Sequence, residues 1–100
     1  MSVSVQANES QKTLTLHIMG SFDFSLFNEF RGAYSDYAGK YETYFVDMSQ
    51  VEYLDSAALG MLLSMRNAVG EQSKIELIGA NSFIKDILMI SRFDKLFGIK

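Results

Sequence analysis

The hydrophobic periodicity of this chain switches repeatedly between period two and helical spacing, and that order strongly limits the folds it can adopt. The segments SVSVQA (2–7) and TLTLHIM (13–19) each alternate apolar and polar residues. Such alternation is typical of strands with one buried face. The polar segment NESQK lies between them and predicts a turn. The chain therefore begins with a β-hairpin.

Apolar residues then recur at helical spacing from Leu26 to Tyr37, which predicts a first helix. Ser25 or Asp23 can serve as its N-cap, because short polar side chains accept hydrogen bonds from the free N–H groups of a first helical turn. Gly39 is a suitable C-terminal stop.

Two further helices follow the same rule. One is predicted from about Ser56 to Val69, ending at Gly70, and the other begins at a cap provided by Ser82. The tail FDKLFGIK (93–100) could add a last helical turn or a short edge strand.

The segments TYFVDM (43–48) and KIELIGA (74–80) are short apolar runs that predict central strands. TYFVDM lacks strict alternation, so we expect it to be buried on both faces. Strand-helix-strand repeats favour parallel neighbours joined by right-handed crossovers. The sequence thus predicts one α/β domain over residues 1–100. It has a mixed sheet of four to five strands with an N-terminal β-hairpin, covered by three or four helices.

Charge and composition argue against several classes of function. The net charge is −3, and the nine Lys and Arg residues are scattered, unlike the basic patch of a nucleic-acid-binding protein. The chain has no cysteine, and its longest apolar run is far below the ~20 residues that cross a bilayer. We expect a cytoplasmic protein that binds neither nucleic acid nor membrane and needs no cofactor.

The second predicted helix has a wide apolar arc and a narrow polar face. The core stripe on a helical wheel consists of Ala58, Met61, Leu62, Met65, Ala68 and Val69. The polar face consists of Ser56, Gly60, Ser64, Asn67 and Glu71. Glycine inside a helix costs ~1 kcal/mol relative to alanine, so this face favours a partner that approaches closely.

The start of this helix has two interpretations. With Asp55 as N-cap, Ser56 is the first helical residue, where a phosphate would be stabilised by free N–H groups and the helix dipole. Asp23 and Asp47 follow or end strands and could converge on the same edge of the sheet. In the simpler interpretation, Asp55 and Ser56 form a helix cap and nothing more.

Three segments have a distinctive combination of residues: GSFDF (20–24), VDMSQVEYLDSAALGMLL (46–63) and ANSFIKDILMISRFDKLFGI (80–99). Together they resemble one family, the STAS domains, and within it the stand-alone anti-sigma factor antagonists. This chain departs from the family in having Ala57 and Ala58 where members often have a second hydroxyl residue and a glycine.

The resemblance implies a function and its residues. Ser56 matches the serine that a partner kinase phosphorylates, Asp55 the preceding acid, and Asp23 an acid near that site. Phosphorylation would block binding to an anti-sigma factor with serine kinase activity, and a serine phosphatase would restore it. Independently of the resemblance, Gly60 and Ser64 continue the Ser56 face at one-turn spacing, so we expect them to extend the partner-binding surface along the helix.

Two other functions are alternatives for a chain with these residues. The chain could be a STAS accessory subunit of a transport or signalling complex that does not use phosphorylation. It could also be an enzyme with Ser56 as nucleophile, which requires a nearby general base. The single histidine, His17, is predicted on the outward face of a strand, so we expect no catalysis. One histidine and no cysteine leave mainly carboxylates as metal ligands, so we expect no metal site.

Overall fold

The computed structural model describes residues 2–100 and consists of a five-stranded sheet and three α-helices. The strands are β1 (Ser2–Asn8), β2 (Thr13–Phe22), β3 (Thr43–Leu54), β4 (Lys74–Ile78) and β5 (Gly98–Ile99). The helices are α1 (Phe27–Ser35), α2 (Ser56–Val69) and α3 (Ser82–Ile90). Two short 3-10 turns, Phe24–Leu26 and Phe93–Lys95, precede α1 and β5.

The strands lie in the sheet in the order in which they occur in the chain. β1 is antiparallel to β2, and the pairs β2–β3, β3–β4 and β4–β5 are parallel. A helix connects each parallel pair. Right-handed crossovers that all step in the same direction place their helices on the same face of the sheet. The predicted mixed α/β sheet with an N-terminal hairpin is thereby confirmed.

β3 is buried on only one face, so the expectation of two-sided burial was wrong. Tyr44, Val46 and Met48 are fully buried, whereas the intervening Phe45 and Asp47 are only partly buried. Side chains of a strand alternate between the two faces of a sheet. The helices cover one face, and among residues 2–100 no helix covers the other face of this sheet.

β3 is also longer than predicted. The residues SQVEYL continue the strand to Leu54 instead of forming a loop. The reason is the pairing with β2, which extends to the rung Phe22–Leu54 across two register shifts, the first between His17 and Met19. Such irregularities add a residue to one strand and hide the alternation that a sequence pattern shows.

The helix ends follow the prediction in part. α2 has its predicted bounds and ends before Gly70, whose φ of 86° is in the left-handed region that favours glycine. α1 ends at Ser35, earlier than predicted, and its first part is the 3-10 turn. Asn81 caps α3, because its side chain accepts a hydrogen bond from the N–H of Ile84 at 2.8 Å, so the choice of Ser82 as the cap was wrong.

The core lies between the helices and the covered face of the sheet. The predicted stripe of α2 is buried except for one residue; its buried members are Ala58, Met61, Leu62, Met65 and Val69. Ala68 is exposed because it lies on the side of α2 that borders a cavity shared with α1. The aromatic rings of Phe22 and Phe30 pack with their centroids 5.2 Å apart and join β2 to α1.

Candidate functional site

The ends of β2 and β3 bring two acidic residues to the same edge of the sheet. The ladder between these strands ends at the pair Phe22–Leu54, and the next residues are Asp23 and Asp55. The N–H of Asp55 donates a hydrogen bond to the carbonyl oxygen of Phe22 at 3.4 Å. Neighbouring strands are ~4.8 Å apart, so Asp23 and Asp55 leave the sheet side by side. Asp55 leads directly into α2.

Asp55 caps α2, as predicted. Its backbone is extended, and its carboxylate accepts a hydrogen bond from the N–H of Ala58 at 3.0 Å. This bond satisfies one of the free donors that begin every helix. The cap is therefore complete without the side chain of Ser56.

The Ser56 hydroxyl is available to a partner. Ser56 is exposed and is the first residue of α2. Within residues 2–100 its hydroxyl makes no hydrogen bond to another residue. It stands at the positive end of a 14-residue helix, where an anion is stabilised.

Asp23 shapes the neighbouring turn. Its carboxylate accepts hydrogen bonds from the backbone N–H and the hydroxyl of Ser25, at 2.9 Å and 2.5 Å. These bonds cap the 3-10 turn that precedes α1. Asp23 is partly buried, and these bonds hold its carboxylate in place at the edge of the sheet where α2 begins.

The polar face of α2 is exposed along its whole length, as predicted. Ser56, Gly60 and Ser64 all face solvent at successive turns. A Cβ atom added at Gly60 would have no heavy atom within 4 Å. Packing within the described chain therefore gives no reason for a glycine here, and the surface remains open to close approach.

Asp47 does not belong to this site, contrary to expectation. Its carboxylate is 2.8 Å from the Nδ1 atom of His17 and accepts a hydrogen bond from the N–H of Ser49 at 2.9 Å. It precedes Leu54 by seven residues of β3, which corresponds to roughly 23 Å of extended strand. The acidic residues near Ser56 are thus Asp23 and Asp55.

His17 and Asp47 form a pair on the uncovered face of the sheet. The other ring nitrogen of His17, Nε2, is 3.2 Å from the side-chain oxygen of Gln6. Desolvation acts to raise the pKa of the Asp47 carboxyl, but hydrogen bonds from Ser49 and His17 outweigh it and hold the pKa below its usual value. This arrangement occupies both nitrogens of His17 far from Ser56 along the sheet.

Two exposed aromatic residues near the site were not predicted. Phe24 directly follows Asp23 and is 66% exposed, and its ring stacks on that of Phe27 with centroids 5.5 Å apart. Tyr53 is 52% exposed and pairs with Ser21 just before the ladder ends. Large exposed apolar groups next to a polar site are typical of interaction surfaces. The sequence contained one signal of this exposure: Phe24 lies outside the apolar stripe of α1.

The described chain contains no metal-binding cluster. Among residues 2–100, no group of three or more His, Cys, Asp or Glu side chains could hold a metal ion. Within the same residues, every helix is too short or too polar to span a membrane. The site consists of the hydroxyl, carboxylates and small-residue face described above.

Comparisons with known proteins agree with this architecture. A family model described as "Mlab, STAS domain" matches residues 5–98. A STAS-domain containing protein of Pseudomonas aeruginosa (strain UCBPP-PA14) is 40% identical over 100 residues, which cover 99% of each chain.

Several solved structures share the fold. An anti-sigma factor antagonist from Mycobacterium paratuberculosis has a TM-score of 0.81 and 18% identity, covering 98% of this chain and 83% of that one. The Bacillus cell fate determinant SpoIIAA in its phosphorylated form has a TM-score of 0.75 and 13% identity, covering 99% and 91%. A sulfate transporter family protein from Wolinella succinogenes has a TM-score of 0.76 and 16% identity, covering 87% and 72%. The family match and the Pseudomonas relative establish that this chain belongs to the STAS domain family.

Proposed function

We propose that this protein is an anti-sigma factor antagonist that switches partners through Ser56. With Ser56 unphosphorylated it binds an anti-sigma factor that has serine kinase activity, and phosphorylation of Ser56 releases it. A serine phosphatase restores binding. The observation that carries the proposal is the exposed Ser56 hydroxyl, which makes no hydrogen bond within residues 2–100 while Asp55 completes the cap.

The position of Ser56 allows a phosphate to change the surface without unfolding the helix. A helix N-terminus favours negative charge, so the phosphoryl group would be tolerated there. It would add about −1.5 to −2 charges beside the carboxylates of Asp23 and Asp55. A partner that fits the uncharged form would then meet a larger group, and the interface would have to bury the added charge.

We assign the partner-binding surface to Asp23, Asp55, Ser56, Gly60 and Ser64. The three α2 residues Ser56, Gly60 and Ser64 lie one turn apart and carry small groups, so the backbone of a partner can approach α2 closely. Phe24 and Tyr53 border this surface and supply the large apolar contacts that protein interfaces favour. We infer a binding role for this surface. His17 lies too far from Ser56 to act as its general base, so the geometry does not favour a catalytic role.

The solved structures support the proposal at the level of the fold. SpoIIAA has been solved in unphosphorylated and in phosphorylated form, with a TM-score of 0.75 to this chain in each case. A domain of this shape can therefore carry a phosphate. At 13% identity, the comparison extends to the fold and not to individual residues.

A second candidate function is a STAS subunit of a transport or signalling complex that does not use phosphorylation. Two observations favour it: the family model that matches is described as "Mlab, STAS domain", and a sulfate transporter family protein shares the fold. In this case the same surface would bind its partner permanently. Charge at position 56 would then have no regulatory meaning.

Affinity capture from native lysate tests the proposal. Wild-type, Ser56→Ala and Ser56→Asp proteins are immobilised, and retained proteins are quantified by mass spectrometry. We expect a kinase-fold protein with wild type and Ser56→Ala that is lost with Ser56→Asp. Ser82→Asp is the matched control, because Ser82 is also an exposed first residue of a helix behind a capped position. Equal retention by wild type and Ser56→Asp would contradict the proposal.

A further inference from the structure

A cavity of about 270 Å³ lies between α1 and α2. Its walls are largely apolar and are formed by Phe27, Phe30, Tyr34, Met61 and Ala68. Phe30, Tyr34 and Met61 are also core residues that are at most 5% exposed, so these walls are held in place by the packing of the fold. The cavity opens to solvent and is separate from the Ser56 hydroxyl.

The charged residue that lines this cavity, Arg31, has no ion-pair partner in the described part of the chain. Arg31 is exposed and, within residues 2–100, makes no ion pair or hydrogen bond. The other two arginines are engaged: Arg66 donates hydrogen bonds to the carbonyl oxygens of Gly70 and Ser73, and Arg92 lies 3.8 Å from a carboxylate oxygen of Asp94. Arg31 therefore places a positive charge, with no carboxylate at ion-pair distance within residues 2–100, beside an apolar space.

Two hydroxyl groups complete the polar side of the cavity. Burial raises the pKa of Tyr34, while the positive charge of Arg31 acts to lower it, which places the guanidinium near the phenol. The Tyr34 hydroxyl makes no hydrogen bond to another residue within the described chain. Ser64 contributes a second hydroxyl from α2. A few convergent polar groups in a largely apolar pocket are typical of small-molecule sites.

We propose that this cavity binds a small monocarboxylate with an apolar body about the size of one aromatic ring. The guanidinium of Arg31 would pair with the carboxylate, since arginine matches carboxylate geometry with two parallel hydrogen bonds. The aromatic and methionine walls would contact the ring. An apolar cavity of roughly 150 Å³ is enough for benzene, so 270 Å³ accommodates a ring and a short acid arm.

The site touches the partner-binding surface at one residue. Ser64 lines the cavity and also belongs to the exposed face of α2. A bound carboxylate would therefore change the surface on which the proposed partner docks. Binding itself does not depend on that proposal and can be measured on the isolated protein.

NMR titration with 3-phenylpropionate tests the site, and 3-phenylpropan-1-ol serves as the uncharged ligand of matched shape. We expect saturable amide shifts in α1 and α2, with the acid binding about tenfold more tightly than the alcohol. Arg31→Gln should weaken binding of the acid to the level of the alcohol. Ala68→Phe should fill the cavity and abolish binding of both. Lys85→Gln, which removes an exposed charge from α3, should leave both affinities unchanged.

Three results would overturn the assignment. One is the absence of any saturable shift up to about 10 mM acid. The cavity would then be assigned to an apolar side chain of a protein partner. Another is equal affinity of wild type for the acid and the alcohol. The third is acid binding that Arg31→Gln leaves intact while the protein remains folded by circular dichroism. None of these depends on whether Ser56 is phosphorylated.

Discussion

Two adjacent residues at the start of α2 differ in what their side chains do: Asp55 caps the helix, and Ser56 is the residue we propose is phosphorylated. Asp55 holds the first turn of the helix through its bond to Ala58. Ser56 is left with an exposed hydroxyl. Because the cap does not use the serine, the Ser56 side chain can be substituted or modified without loss of the helix start. This separation gives the first test.

Removing the cap should cost stability. We expect Asp55→Ala to lower the free energy of unfolding by about 1 kcal/mol, because the N–H of Ala58 loses its acceptor. Asn81→Ala is the matched control, since Asn81 caps α3 in the same way. Ser56→Ala should change the free energy much less. Urea unfolding of the three variants measures this, and a loss with Ser56→Ala as large as that with Asp55→Ala would contradict the assigned cap.

Gly60 should be replaceable as far as the fold is concerned. We expect Gly60→Ala to raise the free energy of unfolding by up to about 1 kcal/mol, because alanine is the better helix former and its Cβ meets no neighbour. Gly79→Ala is the contrasting control. Gly79 has a φ of 78°, and a Cβ there would lie 3.0 Å from the Cβ of Ser49, so this variant should lose stability.

The same position tests the partner surface. Gly60→Arg and Ser64→Arg should each weaken partner binding by more than ~1.4 kcal/mol, or tenfold, because a long side chain would block close approach to α2. Their melting temperatures should change little. Calorimetric titration with the captured partner measures both affinities. Unchanged affinity in both variants would show that the partner docks elsewhere.

Asp47 should make stability depend on pH in a defined direction. Its pKa is lower in the folded protein than in the unfolded chain. Its contribution is therefore present above the ordinary aspartate pKa of about 4 and is lost as pH falls through the lower, folded value. The stability difference between wild type and Asp47→Asn should shrink on acidification from about pH 6 to pH 3. A difference that grows over this range would contradict the assignment.

At the scale of elements, the sequence was most informative where one periodic pattern was long. The bounds of α2 were predicted correctly because a 14-residue helix repeats its apolar stripe several times and ends at Gly70. β3 was predicted to be shorter than it is. It was also predicted to be buried on both faces, whereas only one face is buried. Its extension depends on pairing with β2 across register shifts, and that long-range interaction leaves no local pattern in residues 49–54.

The candidate site likewise contains residues that a local pattern predicts and residues that only long-range packing brings together. Asp55, Ser56, Gly60 and Ser64 lie on one helix, so their arrangement followed from helical spacing alone. Asp23 lies beside Asp55 because the parallel ladder of β2 and β3 ends at paired residues directly before them. The sequence pattern ended β3 too early, and the same error placed Asp47 at the end of the strand, near the site. The cavity beside Arg31 could not be predicted, because it forms where α1 packs against α2.

At the scale of the whole molecule, the core lies under one face of the sheet, and Ser56 lies at an edge of the sheet. A change of charge at Ser56 therefore acts on the surface and not on the core. We expect Ser56→Asp to melt within about 2 °C of wild type, since 1 kcal/mol corresponds to roughly 4–8 °C for a domain of this size. A much larger fall would indicate that charge at this position damages the fold.

The central claim is that charge at Ser56 controls partner binding, and one measurement tests it most directly. The captured partner is titrated against wild type, Ser56→Ala and Ser56→Asp in a single calorimetric series. We predict that Ser56→Ala binds within about threefold of wild type and that Ser56→Asp binds at least tenfold more weakly, a loss of about 1.4 kcal/mol. Equal affinity of the alanine and aspartate variants would contradict the phosphorylation switch and favour a STAS subunit that binds its partner permanently.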